Sequence, residues 1–293
     1  MCPICSNSTK NNIGKPRISK KAKQFIRQDY KIVQCKNCRF YYVDPALDLS
    51  QKEWQILYDS DYFVTMTKWH AEKRKQDLVT RLNKLQHFSA IPVNTFLDLG
   101  SGEGYGLIES LNRGWQTYGI DISDLRIVEA KDPKIVFKQA NLIDAKFGDD
   151  FFDCIYVDSV LEHVPNPMEL LKELNRIIKP GGAIYVGVPN EDSLSTRFLQ
   201  FVYNLVGRSS ESSRLKPFAP SYHIGGFNKA SLTYAAHKAD MKIVKLKNFA
   251  SKTDILNNSA FNRDFLVSAV LLPISLLAVP LRMELYYAAY LSK

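Results

Sequence analysis

Two sets of residues in this 293-residue chain are spaced for chemistry. The first is a pair of C-x-x-C knuckles, Cys2-Pro3-Ile4-Cys5 and Cys35-Lys36-Asn37-Cys38. Each knuckle is a tight turn that aims two thiolates at one point, so the pair supplies four sulfur ligands for tetrahedral zinc. The 29 residues between them exceed the usual ~15–20 spacing, but a zinc ribbon tolerates such a hairpin insert. A redox C-x-x-C would sit at the strand-to-helix junction of a βαβ unit, and neither Cys2 nor Cys35 has that context. Four cysteine ligands leave no open position, so the metal would hold a fold rather than catalyse. The fifth cysteine, Cys154, lies in an apolar strand and reads as inert core.

The second set is a glycine loop followed by an acid. Gly100-Ser101-Gly102-Glu103-Gly104-Tyr105-Gly106 follows the apolar run Asn94 to Leu99, which contains Asp98. Glycines let the backbone turn tightly and approach a ligand, whose polar groups meet the free N–H groups that open a helix. The dinucleotide template G-x-G-x-x-G needs glycine at 105 and finds Tyr105, so the loop reads instead as D-x-G-x-G-x-G. About 20 residues on, a second strand ends at Asp121, where an acid can accept both hydroxyls of a nucleoside ribose. The competing role for Asp121 is a helix cap, for which Ser123 is the better candidate.

These residues need elements to position them. Asn94–Leu99, Gln116–Asp121, Ile135–Ala140 and Phe151–Asp158 read as strands, with a helix continuing through Leu107–Leu111. Strands and helix alternate along this part of the chain. Ahead of it, Cys38–Pro45 reads as a strand that stops at proline, Gln51–Tyr58 as a short helical patch, and Met66–Phe88 as a long helix. Expected boundaries are therefore 1–45 for a zinc module, 46–90 for a linker and helical lead-in, and 91–293 for the main domain.

Composition agrees: 45% hydrophobic and 24% charged residues exclude wholesale disorder, and no solenoid period repeats. Net charge is uneven, with +6 over residues 1–60, −5 over 61–192 and +8 over 193–293. No apolar leader follows Met1, so cytoplasmic location is expected.

Residues 94–190 resemble the class I S-adenosylmethionine-dependent methyltransferases. The likeness rests on the glycine motif, Asp121, the run Phe151–Val164, and the turn Lys179-Pro180-Gly181-Gly182 before a fifth strand. It implies a Rossmann-like, seven-stranded, mostly parallel sheet with an antiparallel last strand. It implies further that Gly100, Gly102 and Gly104 surround the methionine part of the cofactor, with Asp98 near its amino group. Asp121 would hold the ribose and Asn141 with Leu142 would lie near the adenine, while Ser101, Ile122 and Asp158 join the same binding set. A zinc-ribbon start, a Tyr-Val-Asp-Pro phrase and the later phrase His223 to Phe227 resemble, more narrowly, bacterial enzymes acting on sugars and other cell-surface or natural-product intermediates. The acceptor expected is thus a small molecule, sugar or lipid-linked glycan, methylated at oxygen.

An oxygen acceptor must lose a proton, and histidine is the usual base. His163 follows the fourth strand at the ligand-binding end of the sheet, and the resemblance places the loop of His223 over the same cleft. Both are candidates, whereas His70, His87 and His237 read as surface or packing. The competing function is a zinc-ribbon nucleic-acid-binding protein with an RNA-directed or inactive core. Only Lys36, Arg39, Phe40, Tyr41 and Tyr42 interleave basic and aromatic residues in the required way. Finally, Phe265–Leu281 is a 17-residue apolar run within an insertion at 251–281. Pro273 and Pro280 interrupt it, so it reads either as a kinked helical pair on the core or as a lip dipping into the inner membrane face.

Overall fold

The computed structural model describes residues 1–57, 68–219, 221–250 and 263–293. The start of the lead-in helix and the first part of the apolar insertion lie outside the described residues. The chain divides into two compact units. One gathers Met1–Tyr62, Val188–Leu232 and Lys247–Ala288; the other gathers Phe63–Gly187, Thr233–Leu246 and Ala289–Lys293.

The first unit opens with strands β1 (Lys10–Gly14), β2 (Lys31–Cys35) and β3 (Tyr41–Asp44), followed by helix α1 (Gln51–Leu57). The three strands pair antiparallel in sequence order. Ile32 and Val43 face each other across β2 and β3. They join a core with Tyr30, Tyr41, Leu57 and Phe218. The Cys35 knuckle is the turn between β2 and β3, closed by the Arg39 N–H donating to the Cys35 carbonyl at 3.1 Å.

The second unit begins with α2 (Lys68–Phe88), then alternates through β4 (Thr95–Leu99), α3 (Tyr105–Asn112), β5 (Gln116–Asp121), β6 (Val136–Gln139), β7 (Phe152–Asp158), α4 (Pro167–Ile177) and β8 (Ile178–Pro189). Central β7 is buried along nearly its whole length, as expected for a parallel strand covered on both faces. Asn166 caps α4 by accepting from the Glu169 N–H, and Pro167 occupies the first turn, where its missing donor costs nothing.

The remaining elements are α5 (Leu194–Leu205), β9 (Gly225–Gly226), α6 (Lys229–Lys238), β10 (Lys242–Phe249), α7 (Arg263–Leu281) and β11 (Tyr286–Ser292). Strand β9 adds to β3, making the small sheet four-stranded. The large sheet has seven strands in the order β10-β11-β8-β7-β4-β5-β6, parallel from β8 to β6, with the last strands antiparallel. The expected α/β, Rossmann-like architecture is therefore present, with the final strand beside β10.

A buried anchor explains the Lys-Pro-Gly-Gly phrase. Asp153, on β7, accepts the N–H groups of Asn94 and Thr95 at 2.8 and 2.7 Å and pairs with Lys179 at 2.7 Å. A Cβ on Gly182 would meet the Asp153 carbonyl oxygen at 2.7 Å, so only glycine lets β8 pass this close. Two local readings change. No helix starts at Ser123; the next helical turn is a 3-10 turn at Val128–Lys131. The apolar run forms one helix, α7, rather than a kinked pair. Both prolines in it are exposed, where the carbonyls they leave unbonded can take water.

Candidate active site

Strands β4, β5 and β7 run parallel and each contributes an acid at or near its carboxyl end. These are Asp98, Asp121 and Asp158. In open α/β sheets ligands bind at this end, and the connecting loops decide which ligand. The loop after β4 is shaped by close approaches. A Cβ on Gly106 would lie 2.2 Å from Asp98 Oδ2, so the absence of a side chain there makes room for the carboxylate. Cβ atoms on Gly100 and Gly104 would strike Val160 and Ala130.

Gly102 is different. Its φ is +50°, yet nothing lies within 4 Å of where a Cβ would stand. Its N–H donates to Asp121 Oδ2 at 2.9 Å, while Asp121 Oδ1 accepts from the Ser123 N–H at 3.1 Å. The acid is thus oriented by backbone donors beside an open glycine face. Burial raises the Asp121 carboxyl above its usual range, and those backbone bonds act in the opposite sense. Ser101 Oγ is buried in the same loop without a hydrogen-bond partner among the described residues.

Asp98 is buried, and its carboxyl is pushed up to about 8 by desolvation, with the charges of Asp121 and Asp158 adding to the effect. A buried acid in that condition favours an incoming cation. Around the rim, Ile122 is largely exposed. Asn141 holds a turn by accepting the Asp144 N–H at 2.9 Å and donating to its carboxylate at 2.7 Å. The Leu142 side chain is buried beneath that turn.

Asp158 brings residues that sequence reasoning missed. Arg81, on α2, pairs with it at 2.5 Å and donates to the Tyr156 hydroxyl at 3.2 Å. Tyr156 also donates to Asp158 at 3.1 Å. Its ring stacks on Tyr185, with centroids 4.7 Å apart and planes within 8°. Gly187 makes room for the acid, since a Cβ there would sit 2.0 Å from Asp158 Oδ1. The available signal was Arg81 itself, a charge three residues after Leu78 and four before Leu85 on the apolar stripe of α2.

The histidine candidates lie in different units. His163 is half-buried in the turn after β7, where its N–H donates to the Val160 carbonyl at 3.0 Å. His223 is half-buried just ahead of β9. That loop is tied down within the first unit, because Asn228 donates to Asp192 at 2.9 Å and to the Arg39 carbonyl at 3.1 Å. Tyr41 donates to the same Asp192 at 2.8 Å. His87 and His237 are exposed. Cys154 is fully buried, and burial pushes its thiol up to about 12. The other four cysteines converge: Cys2 and Cys38 sulfurs are 3.5 Å apart, Cys5 and Cys35 sulfurs 3.4 Å, and all four lie within 4.8 Å of one another.

The family model described as a methyltransferase domain matches residues 41–246, well over half of the chain. The chain belongs to this methyltransferase family. A segment is 30% identical over 112 residues to a demethylmenaquinone methyltransferase of Lysinibacillus sphaericus, covering 36% of this chain and 48% of that enzyme. The chain spans under half the length of the curated relatives it matches. Two solved structures share the fold at low identity. One is a SAM-dependent methyltransferase from Archaeoglobus fulgidus (TM-score 0.52, 16% identity, 82% of this chain and 100% of that one). The other is 1,6-didemethyltoxoflavin-N1-methyltransferase from Burkholderia thailandensis, with 1,6-didemethyltoxoflavin and S-adenosylhomocysteine bound (TM-score 0.53, 13% identity, 89% and 98%).

For a methyltransferase, the loop geometry fits the family's cofactor. S-adenosylmethionine presents an ammonium, two ribose hydroxyls and a base. The second unit offers a buried acid at 98, a backbone-oriented acid at 121, and the open face of Gly102 beside it. Helix α3 opens without a side-chain cap, which leaves its first N–H groups to a ligand.

Proposed function

We propose that this protein transfers a methyl group from S-adenosylmethionine to a small-molecule, sugar or lipid-linked glycan acceptor, at oxygen. The observation that carries the reading is the contact between Gly102 and Asp121 beside an open glycine face. In this reading Asp98 takes the ammonium, and Gly100, Ser101, Gly102 and Gly104 line the methionine part. Asp121 and Ile122 take the ribose, the turn of Asn141 and Leu142 takes the adenine, and Asp158 closes the edge.

Bound S-adenosylmethionine supplies a methyl group on a positively charged sulfur. The chain's own tasks are to align the acceptor and to keep water away. An acceptor hydroxyl also gives up its proton, and we assign that step to His223 or His163 as general base. A relative named for demethylmenaquinone and a structural neighbour named for 1,6-didemethyltoxoflavin support a small-molecule acceptor.

Cys2, Cys5, Cys35 and Cys38 would hold one structural zinc in a module at 1–45, with 46–90 as lead-in and 91–293 as the methyltransferase domain. Support comes from sulfur separations near the ~3.8 Å edge of a tetrahedron whose Zn–S bonds are about 2.3 Å. Cytoplasmic work, with peripheral contact at the inner membrane face through 265–281, completes the reading.

The test is transfer of tritiated methyl from S-adenosylmethionine to a panel of sugar nucleotides, lipid-linked glycans and RNA. Label on a sugar or lipid-linked glycan, lost in His223→Ala or His163→Ala, is the expected result. Label on RNA alone would overturn the acceptor class.

A further inference from the structure

Helix α7 has no charged residue between Asp264 and Arg282. Over its described residues 272–281 every position but Ser275 is apolar, so one buried face cannot cover them all. The described part bears this out. Ala278 is buried, whereas Leu276, Leu277, Val279 and Leu281 are each more than half exposed. Helix α5, which packs on α7 in the first unit, repeats the pattern. Its Phe201 and Leu205, with Val206 just beyond, are 57%, 69% and 61% exposed. Arg197, Phe201 and Leu205 are spaced i, i+4 and i+8, which places them along one line of the helix.

Soluble surfaces rarely leave this much apolar side chain facing water without a partner. Charge indicates which partner. The first unit holds 20 Lys and Arg against 12 Asp and Glu, while the second holds 19 against 18. Eight of the nine net positive charges therefore belong to the unit that carries the apolar helices. Arg197, Arg208 and Arg282 flank them, all exposed, with Arg208 paired to Glu211 at 2.5 Å. A second copy of the chain would bring two such positive units together. An anionic bilayer instead satisfies apolar and basic groups at once.

We infer that α5 and α7 dock the protein on an anionic lipid surface, with Phe201, Leu205, Leu276 and Leu277 entering the interfacial layer and the arginines meeting headgroups. No helix among the described residues is long and apolar enough to cross a membrane, and the docking we infer is peripheral. This inference deepens the membrane contact proposed above for 265–281 by adding α5. It rests on the first unit's surface and not on the cofactor site.

Flotation with phosphatidylglycerol-containing vesicles, against vesicles of phosphatidylcholine alone, tests it on the full chain. The wild type is expected to float with the anionic vesicles and to stay at the bottom in about 1 M salt, where charges are screened beyond about 3 Å. Phe201→Asp with Leu276→Asp should reduce flotation at least fivefold, as should Arg197→Glu with Arg208→Glu and Arg282→Glu. The exposed-site control Val128→Asp should float like the wild type. All these positions are exposed, so folding should survive, and S-adenosylhomocysteine titration of each preparation checks this separately. Failure of flotation with intact cofactor binding would overturn docking and leave the methyltransferase reading standing. A stable dimer in light scattering that Leu276→Asp dissolves would assign the face to a second copy and overturn it equally.

Discussion

The guanidinium of Arg81, on α2, reaches Asp158 at the end of β7, with Nη1 2.5 Å from Oδ2. Only about a fifth of the arginine side chain and a third of the aspartate remain exposed. Removing one partner of such a pair strands the other's charge, which costs more than the pair contributes. Arg81→Met should lower unfolding free energy by about 2 kcal/mol, as expected for a lost bond to a charged group. Adding Asp158→Asn to that variant should recover part of the loss, and a denaturant double-mutant cycle measures the coupling. Strict additivity would dissolve the link.

Asp98 sets a pH dependence. Its carboxyl is raised from the ordinary 3.8 to about 8, first by burial and then by Asp121 and Asp158. The folded state therefore holds this proton more tightly than the unfolded chain does. Its contribution to stability is fully present below about pH 4 and is lost as pH rises through about 8. Wild-type stability should fall over that window more steeply than that of Asp98→Asn. Cofactor binding should reverse the preference, because an ammonium beside Asp98 favours the charged acid. Calorimetry at pH 7 in buffers of different ionisation enthalpy should report release of about one proton on S-adenosylhomocysteine binding, and none in Asp98→Asn.

Two glycines of one loop should fail differently. Gly106→Ala puts a methyl 2.2 Å from the Asp98 carboxylate, an overpacking expected to cost about 1–3 kcal/mol. Gly102→Ala meets no neighbour and bears only the left-handed backbone, at about 1–2 kcal/mol. Its methyl would nevertheless fill the face proposed for the cofactor, so affinity for S-adenosylhomocysteine should drop at least tenfold. Thermal melts and titrations of both variants separate fold from site.

Metal analysis of protein purified without metal resin should find one zinc per chain. Cys35→Ser should make the first 45 residues protease-sensitive while cofactor binding survives, because the cofactor residues all belong to the second unit. Less than a tenth of an equivalent of zinc or iron in wild-type protein would remove the metal from the account.

Much of the fold was legible because it is local. The run Thr95 to Leu99 is an apolar strand stopped by glycine, and Phe152 to Asp158 is a strand buried on both faces. The acids at 98, 121 and 158 could be placed at or near strand ends by counting. What could not be read depends on distant partners. Arg81 lies 77 residues before Asp158, and nothing in its own neighbourhood names an acid. Gly106 stood in the motif without a role, because its role is the space it leaves for Asp98. The two-residue strand β9 is too short to carry a period and exists only because β3 pairs with it. Similarly, the proline spacing in α7 spoke for a break, and exposure of both prolines lets the helix run on.

In the proposed site Asp121, held by the Gly102 N–H, binds the ribose of S-adenosylmethionine. Calorimetric titration of S-adenosylhomocysteine into the wild type and Asp121→Ala tests it most directly. Each hydrogen bond to a charged group contributes about 1.5–3 kcal/mol, so losing the carboxylate should weaken binding at least tenfold. Saturable one-to-one binding to the wild type, reduced by that factor in the variant, is the result predicted. Equal affinity in both proteins would remove Asp121 from the cofactor site, and no binding to a folded wild type would remove the site itself.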